Sequence, residues 1–569
     1  MRPRPPNPET VLILLMSGVL LVGSPSTIHL KLLNLAYPSE AWERHTQGFS
    51  QVMVAYGVAL LALALLSYTW SRRGVTLTSE LSRHSKEALS ALREVTIPSV
   101  RHCFASRTDT SWLLAALVIG VGVRGYFLAQ PMRYDESVTF LNFANKGFLD
   151  LFCYPYPNNH VLHSILVKAS TLIWGAHPGS IRLPAFLAGI ALIPLIFCFC
   201  RSLGHSGVIA SVTAAVFPYL VSYSTNARGY SLLVFLTLLL AFVGAHVTRK
   251  PSVGGAAVLS FVAALGMMTI PSMLFAIAGI YCWLACLFLI RGCTLRSMLL
   301  RFVVPCSMMT VAFTLVLYTP VILVSNGVES IVANRFVQSQ PWREFLRQLY
   351  PLLRSLSDYP RDIPWVAVLI GSALVIAGLY RSLRGREWPT VLILPSILSG
   401  LVFVLLVHRR TPFARTWIYV LPFILLMADS GFTWIVEKTS DRMRALLTIV
   451  VLIGGAVAGA SLISTGTIAS YPDTGTFPEA PIVARYLTPI LTSSDTVEAR
   501  VPADWPTDFY LWYYGAPSHY AEQGPKVGTT FLVVKKSRYS VEDMTDGPVI
   551  ELLDIGDMAL YRAIEQGER

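Results

Sequence analysis

The sequence predicts a polytopic α-helical membrane protein of about thirteen transmembrane helices, with a small α/β domain at its C-terminal end. Three observations carry that prediction. The chain has 569 residues, 54% of them hydrophobic and only 14% charged, whereas soluble proteins carry about 25% charged residues. Apolar runs of about 17 to 25 residues, long enough to cross a bilayer core, recur along it. Basic residues cluster in alternate connecting segments, the bias that orients membrane proteins. The net charge of +12 is scattered at the ends of apolar runs rather than gathered in a stripe, so nucleic acid is not an expected partner.

The runs lie near 10–24, 51–70, 111–130, 181–200, 207–223, 230–247, 254–270, 272–290, 302–324, 364–380, 389–407, 416–436 and 445–466. The first follows Arg2 and Arg4 without a convincing cleavage site, so it reads as an anchor rather than a signal peptide. With the N-terminus cytoplasmic, the basic segment 71–110 falls inside, as do the clusters at 249–250, 291–301, 381–386 and 438–444. That orientation puts 131–180, 224–229, 325–363, 408–415 and the last hundred residues outside; the expected location is the plasma (inner) membrane. Segment 158–177 is apolar at helical spacing but interrupted by His163 and Lys168; it reads as a helix lying on the outer face. Past 470 the composition turns to Pro, Asp and Thr, with a helix expected over Pro481–Leu491 and strands over Phe531–Lys535 and Met558–Ala563. Three regions result: 1–110 with two spans and the basic loop, 111–469 as the main membrane module, and 470–569 as the outer α/β domain. Cys198, Cys200, Cys282, Cys286 and Cys306 lie inside apolar runs and read as small core residues. No internal repeat is visible.

Two adjacent acids, Asp135 and Glu136, follow the third run directly. Carboxylates at the lip of a bilayer are costly, and packing does not call for them. Neighbouring residues point in different directions, so the two acids are expected to have separate roles, one as a base toward a hydroxyl. The bland alternative is a solvated pair that caps an interfacial segment. The stretch Tyr154-Pro155-Tyr156-Pro157-Asn158-Asn159-His160, with His163 a turn later, offers aromatic faces and amides suited to a sugar. His160 and His163 with a carboxylate are also the natural candidates for a divalent metal. The turn Ser224-Thr225-Asn226-Ala227-Arg228-Gly229-Tyr230 brings a guanidinium to the same outer side, where its planar fork suits a phosphate. Two outer loops carry arginines where positive charge is unexpected: Arg335, Arg343, Arg347, Arg354 and Arg361 in one, and His408, Arg409, Arg410 and Arg415 in the other. An anionic ligand is one reason for the first; the other is that Glu329, Glu344, Asp358 and Asp362 offset its charge. The second has no acid nearby, so an anionic ligand is favoured there. Arg124 and Arg182 read first as structural residues, each paired with a buried carboxylate or carbonyl. No P-loop or dinucleotide fingerprint is present.

These motifs, in this order and on one face, resemble the GT-C superfamily of membrane glycosyltransferases, in its protein mannosyltransferase and aminoarabinose transferase-like branch. The matching residues are the Asp135-Glu136 pair, the Arg182-Leu183-Pro184 start of a later span, the Ala227-Arg228-Gly229-Tyr230 turn and, more weakly, Ala414-Arg415-Thr416-Trp417 leading to Tyr419 and Pro422. The resemblance covers roughly 111–470. It implies a polyprenyl-phosphate-sugar donor and transfer on the outer side to a lipid, glycan or protein acceptor. Asp135 would be the base and Glu136 would position the acceptor or base, or join a metal. Arg228, with Arg410 or Arg415, would bind the donor phosphate. Tyr134, Asn158, Asn159, His160, His163 and Tyr230 are the candidate substrate contacts. The chain departs from the pattern in its two extra N-terminal spans and in having Arg-Gly-Tyr where many relatives have Arg-Met-Tyr. The alternative function is a transporter or flippase of an anionic lipid, but such proteins place ionisable groups near the midplane and often show inverted repeats.

Overall fold

The computed structural model describes residues 8–24, 28, 31, 46–71, 82–91, 93, 106–154, 158–325, 328, 331, 338–357, 363–471, 473, 475–516 and 528–564. Arg2, Arg4, Pro155, Tyr156, Pro157, Glu329, Arg335, Asp358, Arg361 and Asp362, all named above, lie outside the described residues.

All thirteen apolar runs fold as helix. Among the described residues ten helices are long and apolar enough to cross a membrane, so the chain is a polytopic membrane protein. The other three runs differ in detail. Pro8–Gly23 and Val253–Thr269 are shorter helices of 16 and 17 residues. The run 207–223 is two pieces, Val208–Val216 and Pro218–Ser224. The break has a local cause: Phe217 is extended (φ −64, ψ 122) before Pro218, and a proline disfavours helical backbone at the residue it follows. The helix Val161–Trp174 has 14 residues, about 21 Å at 1.5 Å per residue, which is too short to span.

Lipid tails compete poorly with close backbone packing, so membrane helices meet at small residues. Helices Trp365–Arg384 and Leu421–Glu437 do so at Gly378 and Gly431, where an added Cβ would lie 2.0 Å from a backbone carbonyl oxygen of the other helix. The N-terminal helices Pro8–Gly23 and Thr46–Ser71 meet in the same way at Gly18 and Gly57. Contrary to the reading of the cysteines as small core residues, Cys198 is disulfide-bonded.

Charged residues gather at the two ends of the bundle. One end gathers Arg201 with Asp109 at 3.0 Å, and Arg381 with Glu387 at 2.8 Å and Glu437 at 3.0 Å. The opposite end holds Asp135, Glu136, Arg228 and Arg415. The helix Tyr230–Arg249 runs between them with 20 residues, roughly 30 Å at 1.5 Å per residue.

Among the described residues four strands form one sheet in the order β1-β2-β4-β3: β1 (Thr496–Ala499), β2 (Thr530–Lys535), β3 (Val549–Ile555) and β4 (Met558–Ala563). β1 and β2 are parallel, with Thr496 opposite Thr530, and the helix Asp504–Tyr513 lies in the connection between them. β2 pairs antiparallel with β4, Val533 opposite Leu560. Phe531, Leu532, Val533 and Val534 are all buried, as befits an inner strand covered on both faces. Helix Ala480–Leu487 buries Ala480, Val483, Ala484 and Leu487, a 3-4 spacing on one face. Phe140 of the membrane module packs on Phe509 and Trp512, with ring centres 5.7 and 5.2 Å away. The Met132 N–H donates to the Tyr510 hydroxyl at 3.0 Å. The sheet lobe is thereby fastened beside the acidic pair.

Candidate active site

The short helix Tyr134–Thr139 carries both acids. Its first N–H groups lack partners within the helix, and the Glu136 side chain turns back to accept the Arg133 N–H at 2.8 Å. Successive helical residues differ by about 100°, so Asp135 and Glu136 face apart. Asp135 lines a cavity of about 690 Å³. Glu136 points into the protein and is wholly buried.

Glu136 is the point where three of the sequence motifs meet. Its Oε2 accepts from Arg182 Nε at 3.0 Å and from the Ala227 N–H at 2.8 Å; its Oε1 accepts from Arg182 Nη2 as well as from Arg133. Arg182 is also wholly buried and donates to the carbonyls of Leu128 (2.8 Å), Gln130 (2.5 Å) and Pro131 (2.9 Å). The carboxylate therefore ties the acidic helix to the Arg182 helix and to the Arg228 turn. Arg124 is buried and donates to the carbonyls of Ala215 (2.6 Å) and Ala214 (2.9 Å), which is a packing role.

Asp135 is different. Its Oδ2 is buried and, among the described residues, has no hydrogen-bond partner, with Arg415 Nη2 at 3.4 Å. Arg415 is held by the Tyr230 hydroxyl, which accepts from Nε at 2.9 Å, and by the Asp473 carbonyl, which accepts from Nη1 at 2.8 Å. It also lies over the Phe413 ring at 4.7 Å. The Asp473 carboxylate is 4.0 Å from Arg415 and accepts from the Tyr223 hydroxyl. Arg415 thus stands between two carboxylates.

Arg228 is buried. Its Nη1 donates to Thr139 Oγ1 at 2.5 Å and to the Asn158 carbonyl at 2.8 Å, while Nε has no hydrogen-bond partner among the described residues. His160 beside it accepts the Gly229 N–H on Nδ1 at 2.9 Å. Burial first, and then the Arg228 charge, hold this imidazole neutral, well below the usual histidine range. With Nδ1 accepting, the ring proton sits on Nε2, 3.3 Å from Arg228 Nη2. Two donors face each other there, an arrangement that an anion would satisfy from both sides. Gly229 has a local reason to be glycine: a Cβ would lie 2.9 Å from Thr269 Cγ2 and 3.1 Å from His160. The departure to Arg-Gly-Tyr is what lets His160 close on this turn.

Of the residues singled out in the sequence, Tyr134, Asp135, Asn158, His160, Arg228, Tyr230, His408, Arg410 and Arg415 line this cavity. Asn159 and His163 do not line it. Asn159 is a loop fastener, donating to the carbonyls of Leu151 (2.9 Å) and Cys153 (2.8 Å) and accepting from Ser164 Oγ (2.8 Å). His163 is wholly buried, and neither ring nitrogen has a hydrogen-bond partner among the described residues. Among the described residues no three His, Cys, Asp or Glu side chains converge to hold a metal ion. His160 does not fit that role: its Nδ1 is occupied by Gly229, and its other face meets a guanidinium. Sequence reasoning missed Asp473 and Trp505, which reach the site from the C-terminal hundred residues. A lone Asp after the last span, and a Trp within an aromatic helix, give no signal of their own.

No protein-family model matches the chain, and no curated protein matches it. Solved structures do. ArnT from Cupriavidus metallidurans bound to undecaprenyl phosphate superposes with a TM-score of 0.52 at 13% identity, covering 80% of this chain and 99% of that one. The apo form of the same ArnT gives 0.52 at 14% identity, covering 80% and 98%. The fold implied by the resemblance is the fold found: this chain shares the fold of ArnT.

Proposed function

We propose that the protein is an integral-membrane glycosyltransferase that moves a sugar from a polyprenyl-phosphate donor to an acceptor hydroxyl, with inversion at the anomeric carbon. The observation that carries this reading is the pairing of a base and cations in one cavity. Asp135 Oδ2 lies 3.4 Å from Arg415, and Arg228, Arg410 and His160 line the same space. Sugar transfer from a phosphate needs a base for the incoming hydroxyl and cations for the departing anion. The acceptor O–H gives its proton to Asp135 as its oxygen bonds to the anomeric carbon. The bond from that carbon to the phosphate oxygen breaks, and the electron pair leaves on the lipid phosphate. Arg228 and Arg415 neutralise it, so no general acid is required. The transition state has oxocarbenium character. Glu136 touches neither partner; it positions the acidic helix and the Arg228 turn.

An apolar groove of about 740 Å³ shares Met267 and Leu274 with the cavity and runs past Ile277, Tyr281 and Val311. It suits the isoprenoid tail, and the undecaprenyl phosphate of the ArnT structure is a lipid of that kind. On the charge bias of the loops the reaction takes place outside the inner membrane, with the N-terminus cytoplasmic. The region 470–569 contributes Trp505 to the cavity wall and shapes acceptor entry there. The test is to incubate the purified protein with polyprenyl-phosphate sugars and candidate lipid, glycan and protein acceptors, following product by mass spectrometry and its anomeric configuration by NMR. An inverted glycoside is expected; a retained configuration contradicts the one-step mechanism.

A further inference from the structure

The described part of the arginine-rich outer loop folds as one helix, Trp342–Ser357. At about 100° per residue its side chains sort into rows. Phe345 and Leu352 are buried, Phe345 in the core of the membrane module. A second apolar row, Trp342, Leu346, Tyr350 and Leu353, spans about 80° of arc and is 51%, 58%, 71% and 62% exposed. Arg343, Arg347 and Arg354 are exposed and lie along the edge of that row, within about 40° of one another. Glu344 falls on the far side and accepts from Gln348 Nε2 at 3.2 Å. An open apolar row edged by guanidiniums fits the boundary between water and lipid, with the apolar row among acyl chains and the arginines at phosphate level.

This helix is also fastened to the cavity rim. The Gln340 N–H donates to the Arg409 carbonyl at 3.1 Å, Thr411 Oγ1 donates to Gln348 Oε1 at 3.0 Å, and the Arg409 guanidinium stands 5.7 Å from the centre of the Trp342 ring. The rim segment continues through Arg410 and Phe413 to Arg415 in the cavity wall. A series of guanidiniums therefore leads from the exposed helix edge to the group beside Asp135.

We propose that the helix Trp342–Ser357 lies in the plane of the outer surface of the membrane and captures the phosphate of the isoprenoid donor lipid, passing it along Arg354, Arg347 and Arg343 to Arg409 and Arg410 and into the cavity. The occupant is the donor in transit rather than bulk phospholipid, because the row ends at the cavity. This rests on the transferase reading above. The test uses the full chain in zwitterionic phosphatidylcholine nanodiscs, comparing wild type with the double variant Arg343→Glu/Arg347→Glu and with Arg343→Gln/Arg347→Gln, after thermal melting shows that each is folded. Donor KM should rise about tenfold or more in the charge reversal and less in the neutral variant, with kcat within about twofold. The gap should narrow as salt screens the charges. An unchanged KM in folded variants overturns the proposal, as does a fall in kcat at constant KM. A shift seen only when anionic phospholipid is added assigns the row to bulk lipid instead, and also overturns it. Binding of polyprenyl phosphate alone, measured by native mass spectrometry, separates the two readings. If wild type shows no transfer but the reversal still loses the lipid, capture stands and the transferase reading fails.

Discussion

Replacing Glu136 by glutamine separates a positioning carboxylate from a reacting one. In the wild type both oxygens are filled by four donors: two from Arg182, the Arg133 N–H at 2.8 Å and the Ala227 N–H at 2.8 Å. Glutamine keeps the shape but turns one oxygen into an NH₂ that faces donors, and it removes the counter-charge of the buried Arg182. Breaking one side of a buried ion pair costs about 3–5 kcal/mol. The orphaned N–H groups are part of that figure rather than an addition to it, because neighbouring losses do not add. Glu136→Gln should therefore lower unfolding stability in detergent by about 3–5 kcal/mol, followed by tryptophan fluorescence. Because the Ala227 N–H is released, the Arg228 turn loosens and donor KM should rise together with the loss of stability. Arg182→Met added to Glu136→Gln should recover part of the loss, since it removes the unpaired cation. A Glu136→Gln protein as stable as wild type, with normal donor binding and no transfer, would refute this reasoning and place Glu136 in the chemistry.

Three further outcomes follow from the same geometry. Arg228→Lys keeps the charge but loses the planar fork that reaches Thr139 and Asn158, so donor KM should rise about tenfold or more in steady-state assays; an unchanged KM would remove Arg228 from the phosphate site. Asp473 competes for Arg415, so Asp473→Asn should tighten donor binding a few-fold by isothermal titration, and weaker binding would make Asp473 a support of Arg415 instead. In the sheet lobe, burial pushes Asp504 up to about 6, and burial with the Asp504 charge pushes Asp508 up to about 7. Carboxyls raised in the folded state bind protons that the unfolded chain has released, so their contribution is full below about pH 4 and is lost as pH rises through 6 to 7. Hydrogen exchange across Asp504–Tyr513 should show more protection at pH 5 than at pH 8, and Asp508→Asn should flatten the difference; an unchanged slope in that variant would contradict the assignment.

Much of the membrane architecture was legible because hydropathy reports burial in lipid directly. It did not register the break at Phe217-Pro218, since a proline leaves the mean hydropathy of a run nearly untouched while interrupting its backbone. In the C-terminal region the inner strand Thr530–Lys535 stood out as a continuous apolar run, whereas β1 is only four residues long and β3 is largely exposed, so neither carries a strong pattern. The site was legible where charge sat against an apolar background, as at Asp135, Arg228 and Arg415. Polar residues clustered in sequence were harder: Asn158 and His160 face the cavity, while Asn159, between them, turns to the carbonyls of its own loop. The pairing of Glu136 with Arg182 joins residues 46 positions apart, and sequence periodicity says nothing about such contacts.

The central claim is that Asp135 takes the proton of the acceptor while the arginines hold the donor. The most direct measurement is single-turnover transfer by Asp135→Asn, with donor affinity determined in the same preparation. Transfer should slow by about 10²- to 10⁴-fold, with donor affinity kept or improved because Arg415 is relieved of a carboxylate. Transfer at the wild-type rate, or a loss of donor binding that by itself accounts for the defect, would contradict it.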